Sequence, residues 1–267
     1  MNPKVSIIMG VYNCECTLRE SINSILNQTY KNWEFVICDD GSFDNSYNIV
    51  KEYESKYPDK FIVIRNDFNR GLNYTLNRCL KYATGKYIAR MDGDDISLKE
   101  RLYRQVKILN NNNNISFVSS NMIYFDESGD WGESKVIEEP KNKDFVSGTP
   151  FCHAPAMVRK EVYDAVGGYT NHKMLIRVED YHLWFKIYSL GYKGYNIQEF
   201  LYKMRDDRKA IVRRKFKFRI NEAYVKYIGF KMLKLEKKYY FNVFKPIFVG
   251  FLPNRLYVYL HKLKLKN

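Results

Sequence analysis

Residues 5–109 alternate four times between a short apolar segment and a segment with helical periodicity. Val5–Val11 is nearly all apolar, which is typical of a parallel strand buried on both faces. In Thr17–Gln28, apolar residues recur at helical spacing at Leu18, Ile22 and Ile25. Three more strand–helix pairs follow: Trp33–Cys38 with Asp44–Tyr57, Phe61–Arg65 with Gly71–Ala83, and Tyr87–Met91 with Leu98–Leu109. This order predicts an α/β fold with a mostly parallel sheet and helices on both faces.

Unusual polar residues follow each of the four predicted strands. They are Tyr12 and Asn13, Asp39 and Asp40, residues 67–71, and residues 92–95. The carboxyl ends of parallel strands lie at one edge of a sheet, and ligands bind beyond that edge. We call it the carboxyl edge, and the sequence predicts a binding site there.

The acidic cluster after the fourth strand holds Asp92, Asp94 and Asp95 within four positions. Aspartate is a poor strand former and is rarely buried without a partner. In an extended segment Asp92 and Asp94 point the same way, so both can reach one ion. Such hard oxygen ligands suit Mn²⁺ or Mg²⁺. The alternative is an acidic turn in which Asp95 or Ser97 caps the next helix.

Other residues would complete the site if it binds a sugar nucleotide. Tyr12 can stack on a base, and Asp40 can accept an imide N–H. Asp180 begins a predicted helix at Val178–Leu190 and can act as a general base. The alternatives are packing for Tyr12, a simple turn for Asp40, and a helix first-turn signature for Glu179 and Asp180. His153 can equally be a hydrogen-bonded structural histidine, and Trp184 a core residue.

The charge of the chain is concentrated near its C-terminus. Residues 203–267 hold 19 Lys and Arg against 4 Asp and Glu, whereas residues 1–202 hold 25 against 26. Basic and aromatic or apolar residues are interleaved in Arg213–Arg219 and Leu256–Lys266. We therefore expect a domain at 1–205 and a basic, mainly helical extension at 206–267. The extension would contact an anionic membrane surface or pair two chains into a homo-dimer. The alternative is a set of helices that pack on the body and leave a basic face in solvent.

Cysteine usage and hydropathy predict the compartment. The five cysteines form no Cys-x-x-Cys pair, which favours a reducing cytoplasm. The sequence shows neither a signal-peptide pattern at its start nor an unbroken run of about 20 apolar residues. It thus predicts a cytoplasmic protein, peripheral on the inner face of the plasma membrane.

The chain resembles an inverting family 2 glycosyltransferase of the GT-A fold, whose sheet is Rossmann-like. The resemblance spans about residues 3–205, with its motifs in family order and at family spacing. The matching segments are Val5–Asn13, Asp39–Asp44, Asn69–Gly71, Met91–Asp95, Gly167–Tyr169 and Val178–Trp184. One position of the first motif departs from the family pattern: Gly10 stands where many relatives have Thr or Ser.

The resemblance implies a role for each matching residue. The implied donor-binding residues are Tyr12, Asp40, Arg70, Asp92 and Asp95. The implied ligands of Mn²⁺ or Mg²⁺ are Asp94 and Asp92, with Asp94 the more direct. Asp180 would be the catalytic base. The implied supporting residues near the acceptor are Glu179, His153 and Trp184.

The implied activity is metal-dependent transfer of one sugar, with inversion, from a nucleotide-sugar to a saccharide hydroxyl. The family implies a UDP-sugar and a polyprenyl-diphosphate-linked acceptor in surface polysaccharide assembly. The Gln-x-x-Arg-Trp motif of processive relatives is absent from the sequence. A nucleotidyltransferase is the first alternative, although no Gly-rich basic loop follows the first strand. A nucleic-acid or anionic-surface binding protein is the second, although the body that carries the motifs is nearly neutral. We therefore expect no nucleic-acid partner.

Overall fold

A computed structural model of the protein describes residues 2–206 and 215–252. The four apolar segments form strands β1 (Val5–Val11), β2 (Trp33–Asp39), β3 (Phe61–Arg65) and β4 (Tyr87–Arg90). They pair in parallel in the order β3-β2-β1-β4. Every residue of β2 is buried. This half of the sheet is therefore covered on both faces, as the apolar runs predict.

Helices cover the two faces of these strands. They are α1 (Leu18–Leu26), α2 (Ser46–Lys56), α3 (Leu72–Tyr82) and α4 (Arg101–Asn111). Side chains of β1 alternate between two hydrophobic cores: Ile8 packs with Leu76 of α3, whereas Ile7 packs with Ile22 of α1. Alternation along one strand thus divides the interior into two layers.

The second half of the chain extends the sheet in mixed orientation. Its strands are β5 (Ile96–Ser97), β6 (Phe117–Asp126), β7 (Gly129–Ser134), β8 (Met157–Arg159) and β9 (Gly194–Arg205). Among the described residues the sheet has nine strands, ordered β3-β2-β1-β4-β8-β6-β9-β5 with β7 on β6. Strand β8 runs antiparallel to both β4 and β6, and β9 runs parallel to β6. The α/β class is confirmed, with its parallel strands mainly in the first half.

Four more helices complete the fold: α5 (Lys160–Val166), α6 (Glu179–Ser189), α7 (Phe216–Met232) and α8 (Lys245–Gly250). Short 3₁₀ helices lie at Asn142–Val146, Lys173–Leu175 and Lys237–Val243. Helix α7 packs closely on α6, because a Cβ added at Gly229 would lie 2.2 Å from the Phe185 ring. Lys226 is buried in this contact and donates to the Val146 carbonyl at 3.2 Å.

The structure corrects three local predictions. The helix expected from Leu98 begins at Arg101, because Ile96 and Ser97 pair with β9 instead. The sequence of Phe151–Arg159 also has the pattern of a strand, but only Met157–Arg159 forms one as β8, and β9 was not predicted. The predicted basic segment Leu256–Lys266 lies outside the described residues, as do residues 207–214.

Within residues 2–206 and 215–252, no helix has both the length and the apolar character needed to cross a bilayer.

Candidate active site

The carboxyl edge brings the predicted donor-binding segments together. The segment after β2 is bound to the end of β1, because Asp40 N–H donates to the Val11 carbonyl at 2.7 Å. The segment after β4 is bound to β1 in the same way, with Met91 N–H donating to Ile8 at 3.0 Å. Parallel pairing of neighbouring strands therefore places Tyr12, Asp40 and the acidic cluster along one edge.

Tyr12 lies at this edge with 39% of its surface exposed. Its ring meets that of Phe43 edge-on, with centroids 6.2 Å apart. The two loops that carry them are joined by hydrogen bonds: Asn13 Oδ1 accepts from Phe43 N–H at 2.9 Å, and Ser42 Oγ accepts from Asn13 N–H at 3.1 Å. The result is an aromatic surface of fixed orientation on which a planar base can stack.

Asp40 is almost fully buried and fixes the loop that follows β3. Its Oδ1 accepts from Asn66 Nδ2 at 2.6 Å and from the Arg70 amide at 2.9 Å, and its Oδ2 accepts from the Gly71 amide at 2.9 Å. A carboxylate has about four acceptor positions, so Oδ2 keeps capacity for one further donor. Asp40 thus combines a structural task with room for a ligand N–H.

Gly10 and Gly41 explain how closely the loops at this edge approach. Gly41 has φ +72°, and a Cβ there would lie 2.8 Å from the Phe68 backbone. At Gly10 a Cβ would lie 3.1 Å from Leu72 and 3.2 Å from Thr75. A side chain at position 10 would therefore be crowded by α3.

Arg70 is exposed at the mouth of the same edge. Its guanidinium lies 4.3 Å from the centre of the Tyr74 ring and 5.1 Å from that of Phe68. These cation–π contacts hold a positive charge at the carboxyl edge, and no ion pair joins Arg70 to a carboxylate within residues 2–206 and 215–252. An anionic group entering the site can approach that charge.

The three carboxylates of the acidic cluster have different environments. Asp92 is partly exposed and paired with Arg90, Asp94 is exposed, and Asp95 is buried. Desolvation, followed by the charge of Asp92, raises the pKa of Asp94. Burial, followed by the charges of Asp92 and Asp94, raises the pKa of Asp95 well above its usual range. Asp95 Oδ1 accepts from the Arg205 amide at 2.8 Å, so Asp95 also fastens β9 to the cluster.

These residues fit a divalent ion of the kind that takes few protein ligands. Desolvation and the neighbouring charge of Asp92 both oppose ionisation of Asp94, and a bound cation would favour its charged form. Mg²⁺ and Mn²⁺ accept one or two carboxylates and complete their shells with water and substrate phosphate. No cluster of three or more His, Cys, Asp or Glu side chains suited to a metal occurs in residues 2–206 and 215–252.

Arg90 is a central residue to which the sequence analysis gave no role. It ends β4, is 7% exposed, and donates to both oxygens of Asp92. Burial opposes its charge, but the charges of Asp92, Glu179 and Asp180 raise the pKa of Arg90 overall. The available signal was an arginine closing an otherwise apolar strand, which seldom occurs without a partner.

Glu179 and Asp180 form the first turn of α6, and the charge of Arg90 acts on both carboxylates. Burial, then the charge of Asp180, raises the pKa of Glu179. Burial likewise raises the pKa of Asp180, although its Oδ1 accepts from the Tyr181 amide at 2.7 Å. A carboxylate with a raised pKa is a stronger base, and both side chains remain partly exposed.

His153 and Trp184 are both buried, and their contacts are with other buried residues. His153 is buried, its Nε2 is 3.1 Å from Tyr169 Oη, and burial with the charge of Arg90 holds its pKa well below its usual value. Trp184 is 0% exposed and stacks on Phe117 at 4.5 Å. Burial favours a structural task for both side chains, and the supporting role near the acceptor that the resemblance implies stays a prediction.

Comparison with known proteins identifies this arrangement. The model of Glycosyl transferase family 2 matches residues 6–167. EpsE of Bacillus subtilis (strain 168), named as a glycosyltransferase, is 43% identical over 99% of this chain and 95% of its own length. WfaP of Escherichia coli is 31% identical over 85% of this chain and 87% of its own length. Its name is UDP-Glc:alpha-D-GlcNAc-diphosphoundecaprenol beta-1,3-glucosyltransferase.

Two solved structures share the fold at 19% sequence identity. S. aureus TarS 1–349 in complex with UDP superposes with a TM-score of 0.70, over 92% of this chain and 70% of that one. The mannosyltransferase PcManGT from Pyrobaculum calidifontis, in complex with GDP-Man and Mn²⁺, superposes with a TM-score of 0.66, over 100% of this chain and 81% of that one. Fold and relatives together define a glycosyltransferase of the GT-A class. Within that class, the chain belongs to glycosyltransferase family 2.

Proposed function

We propose that this protein transfers one sugar, with inversion, from a UDP-sugar to a hydroxyl of a lipid-linked saccharide acceptor. The observation that carries the proposal is the environment of Arg90, which binds Asp92 directly and lies within reach of the charges of Glu179 and Asp180. A donor diphosphate at the acidic cluster would thus lie beside the proposed base. The name of WfaP supports UDP as the nucleotide and a diphosphoundecaprenol-linked acceptor.

The donor would lie along the carboxyl edge. Tyr12 stacks on the base, and the remaining acceptor position of Asp40 Oδ2 takes the imide N–H. Arg70 approaches the diphosphate from the mouth of the site. Asp95, fastened to β9, positions the donor sugar or the water around the ion.

Asp94, with Asp92, would hold Mn²⁺ or Mg²⁺ at the diphosphate. The ion would supply positive charge where the leaving nucleoside diphosphate becomes more negative. Arg90 donates to both oxygens of Asp92, so this carboxylate is already oriented before the ion binds. Orientation in advance lowers the cost of assembling the site.

Asp180 would take the proton of the acceptor hydroxyl. The acceptor oxygen forms a bond to the anomeric carbon while the bond from that carbon to the diphosphate oxygen breaks on the opposite face. The electron pair leaves with the nucleoside diphosphate, the proton remains on Asp180, and the configuration inverts. The charge of Arg90 lowers the pKa of both Glu179 and Asp180 and so limits the repulsion between the two carboxylates.

The protein would work at the inner face of the plasma membrane in surface polysaccharide assembly. Residues 1–205 would form the catalytic domain, and residues 206–267 the extension that meets the membrane surface. The net charge of this extension supports the proposal, because anionic lipid attracts clustered lysine and arginine.

Calorimetric titration of UDP tests the donor site. We expect binding with Mn²⁺, much weaker binding with EDTA, and loss of the Mn²⁺ effect in Asp94→Ala. Asp164→Ala is the matched control, since Asp164 is an exposed aspartate of α5 away from the carboxyl edge. Metal-independent binding, or an equal loss in both variants, would refute the proposed donor site.

A further inference from the structure

Four phenylalanines form a row on the surface of the C-terminal extension. Phe244 N–H donates to the Phe241 carbonyl at 3.2 Å, Phe248 N–H to that of Phe244 at 3.2 Å, and Phe251 N–H to that of Phe248 at 3.1 Å. Groups joined in this way lie above one another on one helical face. The side chains of Phe241, Phe244, Phe248 and Phe251 are 86%, 54%, 71% and 74% exposed. We call these four residues the phenylalanine row.

The row belongs to a segment that is packed on its other side. Val243 and Pro246 are buried, and Ile247 packs against the hydrophobic core. The Phe251 ring also lies 5.2 Å from that of Phe216 at the start of α7. Single exposed apolar side chains need no explanation, but a fixed row of four marks an interaction surface.

The charge around the row indicates what it contacts. Residues 215–252 contain nine Lys and Arg against two Asp and Glu. Lys237, Lys238 and Lys245 are exposed within the same segment. Aromatic rings flanked by lysines suit the interface of an anionic bilayer, where rings enter the headgroup region and ammonium groups meet lipid phosphate.

The same charge disfavours a second copy of the chain as the occupant. A second copy docking through a two-fold axis would bring identical lysine-rich surfaces together.

The row is linked to the segment that positions the proposed base. Two positions after Phe216 in α7, the ring of Phe218 lies 5.9 Å from the Arg177 guanidinium. Asn221 Nδ2 donates to the Ile176 carbonyl at 3.0 Å. Residues 176 and 177 lead directly into Glu179 and Asp180 at the start of α6.

We propose that the phenylalanine row inserts into the interfacial region of an anionic bilayer and orients the Asp180 side of the protein toward a membrane-anchored acceptor. This inference deepens the proposed function and rests on it for the identity of the acceptor. The docking itself rests on the exposed row, its packed support and the surrounding lysines.

Vesicle flotation of the full-length protein tests the docking. We expect the protein to float with vesicles of phosphatidylglycerol and phosphatidylcholine and to remain unbound with phosphatidylcholine alone. The double variant Phe241→Ser/Phe248→Ser should partition at least about tenfold less into the anionic vesicles. Tyr82→Ser/Tyr103→Ser is the matched control, because it removes two half-exposed tyrosines from α3 and α4. This control should float like the unaltered chain.

Two further measurements make each outcome decisive. The thermal midpoint shows whether the double variant is folded, and UDP titration shows whether its donor site is intact. If the double variant floats less while its thermal midpoint and its UDP binding are unchanged, the result supports docking. If the unaltered chain floats but does not bind UDP, the result counts against the proposed function alone. Equal flotation of the two double variants would overturn the inference. So would a row variant that lowers the thermal midpoint or abolishes a dimer, since the row would then be covered by the chain itself or by a second copy.

Discussion

The guanidinium of Arg90 binds both oxygens of Asp92, with Nε and Nη2 at 3.1 and 3.0 Å from Oδ1 and Nη2 at 3.2 Å from Oδ2. This pair joins the end of β4 to the acidic cluster. Because the charges of Glu179 and Asp180 also act on Arg90, one buried cation balances both acidic parts of the candidate site.

Replacement of Arg90 should affect both the acidic cluster and the pair Glu179 and Asp180. Arg90→Ala leaves Asp92 without its partner, and we expect kcat/KM for transfer to fall by at least about 100-fold. The free energy of unfolding should fall by about 3 kcal/mol, the usual cost of breaking a buried pair. Arg90→Lys should recover part of the stability but little activity, because an ammonium group cannot make the bidentate contact.

Arg159→Lys is the matched control for Arg90→Lys. Arg159 is equally buried at the end of β8, but it donates to the carbonyls of Leu109, Asn112 and Ile115. We expect its loss to lower stability without a specific effect on the Mn²⁺ dependence of UDP binding. Equal effects of the two substitutions on that dependence would show that Arg90 has only a structural role.

The acidic residues of the site should make stability depend on pH. The pKa values of Asp94, Asp95, Glu179 and Asp180 are raised in the folded protein. Between the ordinary carboxyl pKa of about 4 and these raised values, the folded state binds more protons than the unfolded state. Their contribution to stability is therefore present at lower pH and is lost as the pH rises through the raised values.

Thermal unfolding with EDTA and with Mn²⁺ across this pH range checks the sign. With EDTA, Asp94→Asn should flatten the decrease in the thermal midpoint that accompanies rising pH. Mn²⁺ should raise the midpoint most at the higher pH, where the carboxylates are ionised. A Mn²⁺ effect that is larger at low pH would contradict this account.

Gly41 should be intolerant of a side chain. Gly41→Ala forces an alanine to φ +72° and places its Cβ 2.8 Å from the Phe68 backbone. We expect a loss of about 3 kcal/mol in unfolding free energy and weaker UDP binding, because the loop held by Asp40 must move. Gly129→Ala is the control, since Gly129 also has positive φ but no atom within 4 Å of the added Cβ. It should cost about 1 kcal/mol and leave UDP binding unchanged.

Trp184 should behave as a core residue. Trp184→Ala should lower the unfolding free energy by about 4 kcal/mol, measured by chemical denaturation. Trp184→Phe should retain more of the packing on Phe117 and leave the KM for the acceptor unaltered. A large rise in the acceptor KM without a loss of stability would show instead that Trp184 contributes to acceptor binding.

Local patterns were sufficient to predict the strands of the first half. The bounds of β1 and β3 agree with the prediction, because continuous apolar runs between turns specify buried strands without long-range information. Strand β9 was not predicted, because its mixed polar and apolar residues form a strand through long-range pairing with β6. The delayed start of α4 depends on the pairing of Ile96 with Lys203, more than 100 positions away.

The candidate site shows the same division. Motif order placed Asp92, Asp94 and Asp180 in one region, since strand ends and helix starts are readable from the sequence. The link through Arg90 was not readable, because it depends on how α6 packs beside β4. The burial of His153 and Trp184 likewise follows from packing against Tyr169 and Phe117.

Sugar transfer by Asp180→Asn tests the central claim most directly. The assay is transfer from a radiolabelled UDP-sugar to GlcNAc-diphosphoundecaprenol with Mn²⁺, alongside UDP titration and with Asp164→Asn as control. The account predicts at least about a 1000-fold fall in kcat with UDP affinity unchanged, and an inverted anomeric configuration in the product of the unaltered protein. Near-normal kcat in Asp180→Asn, or a product of retained configuration, would contradict it.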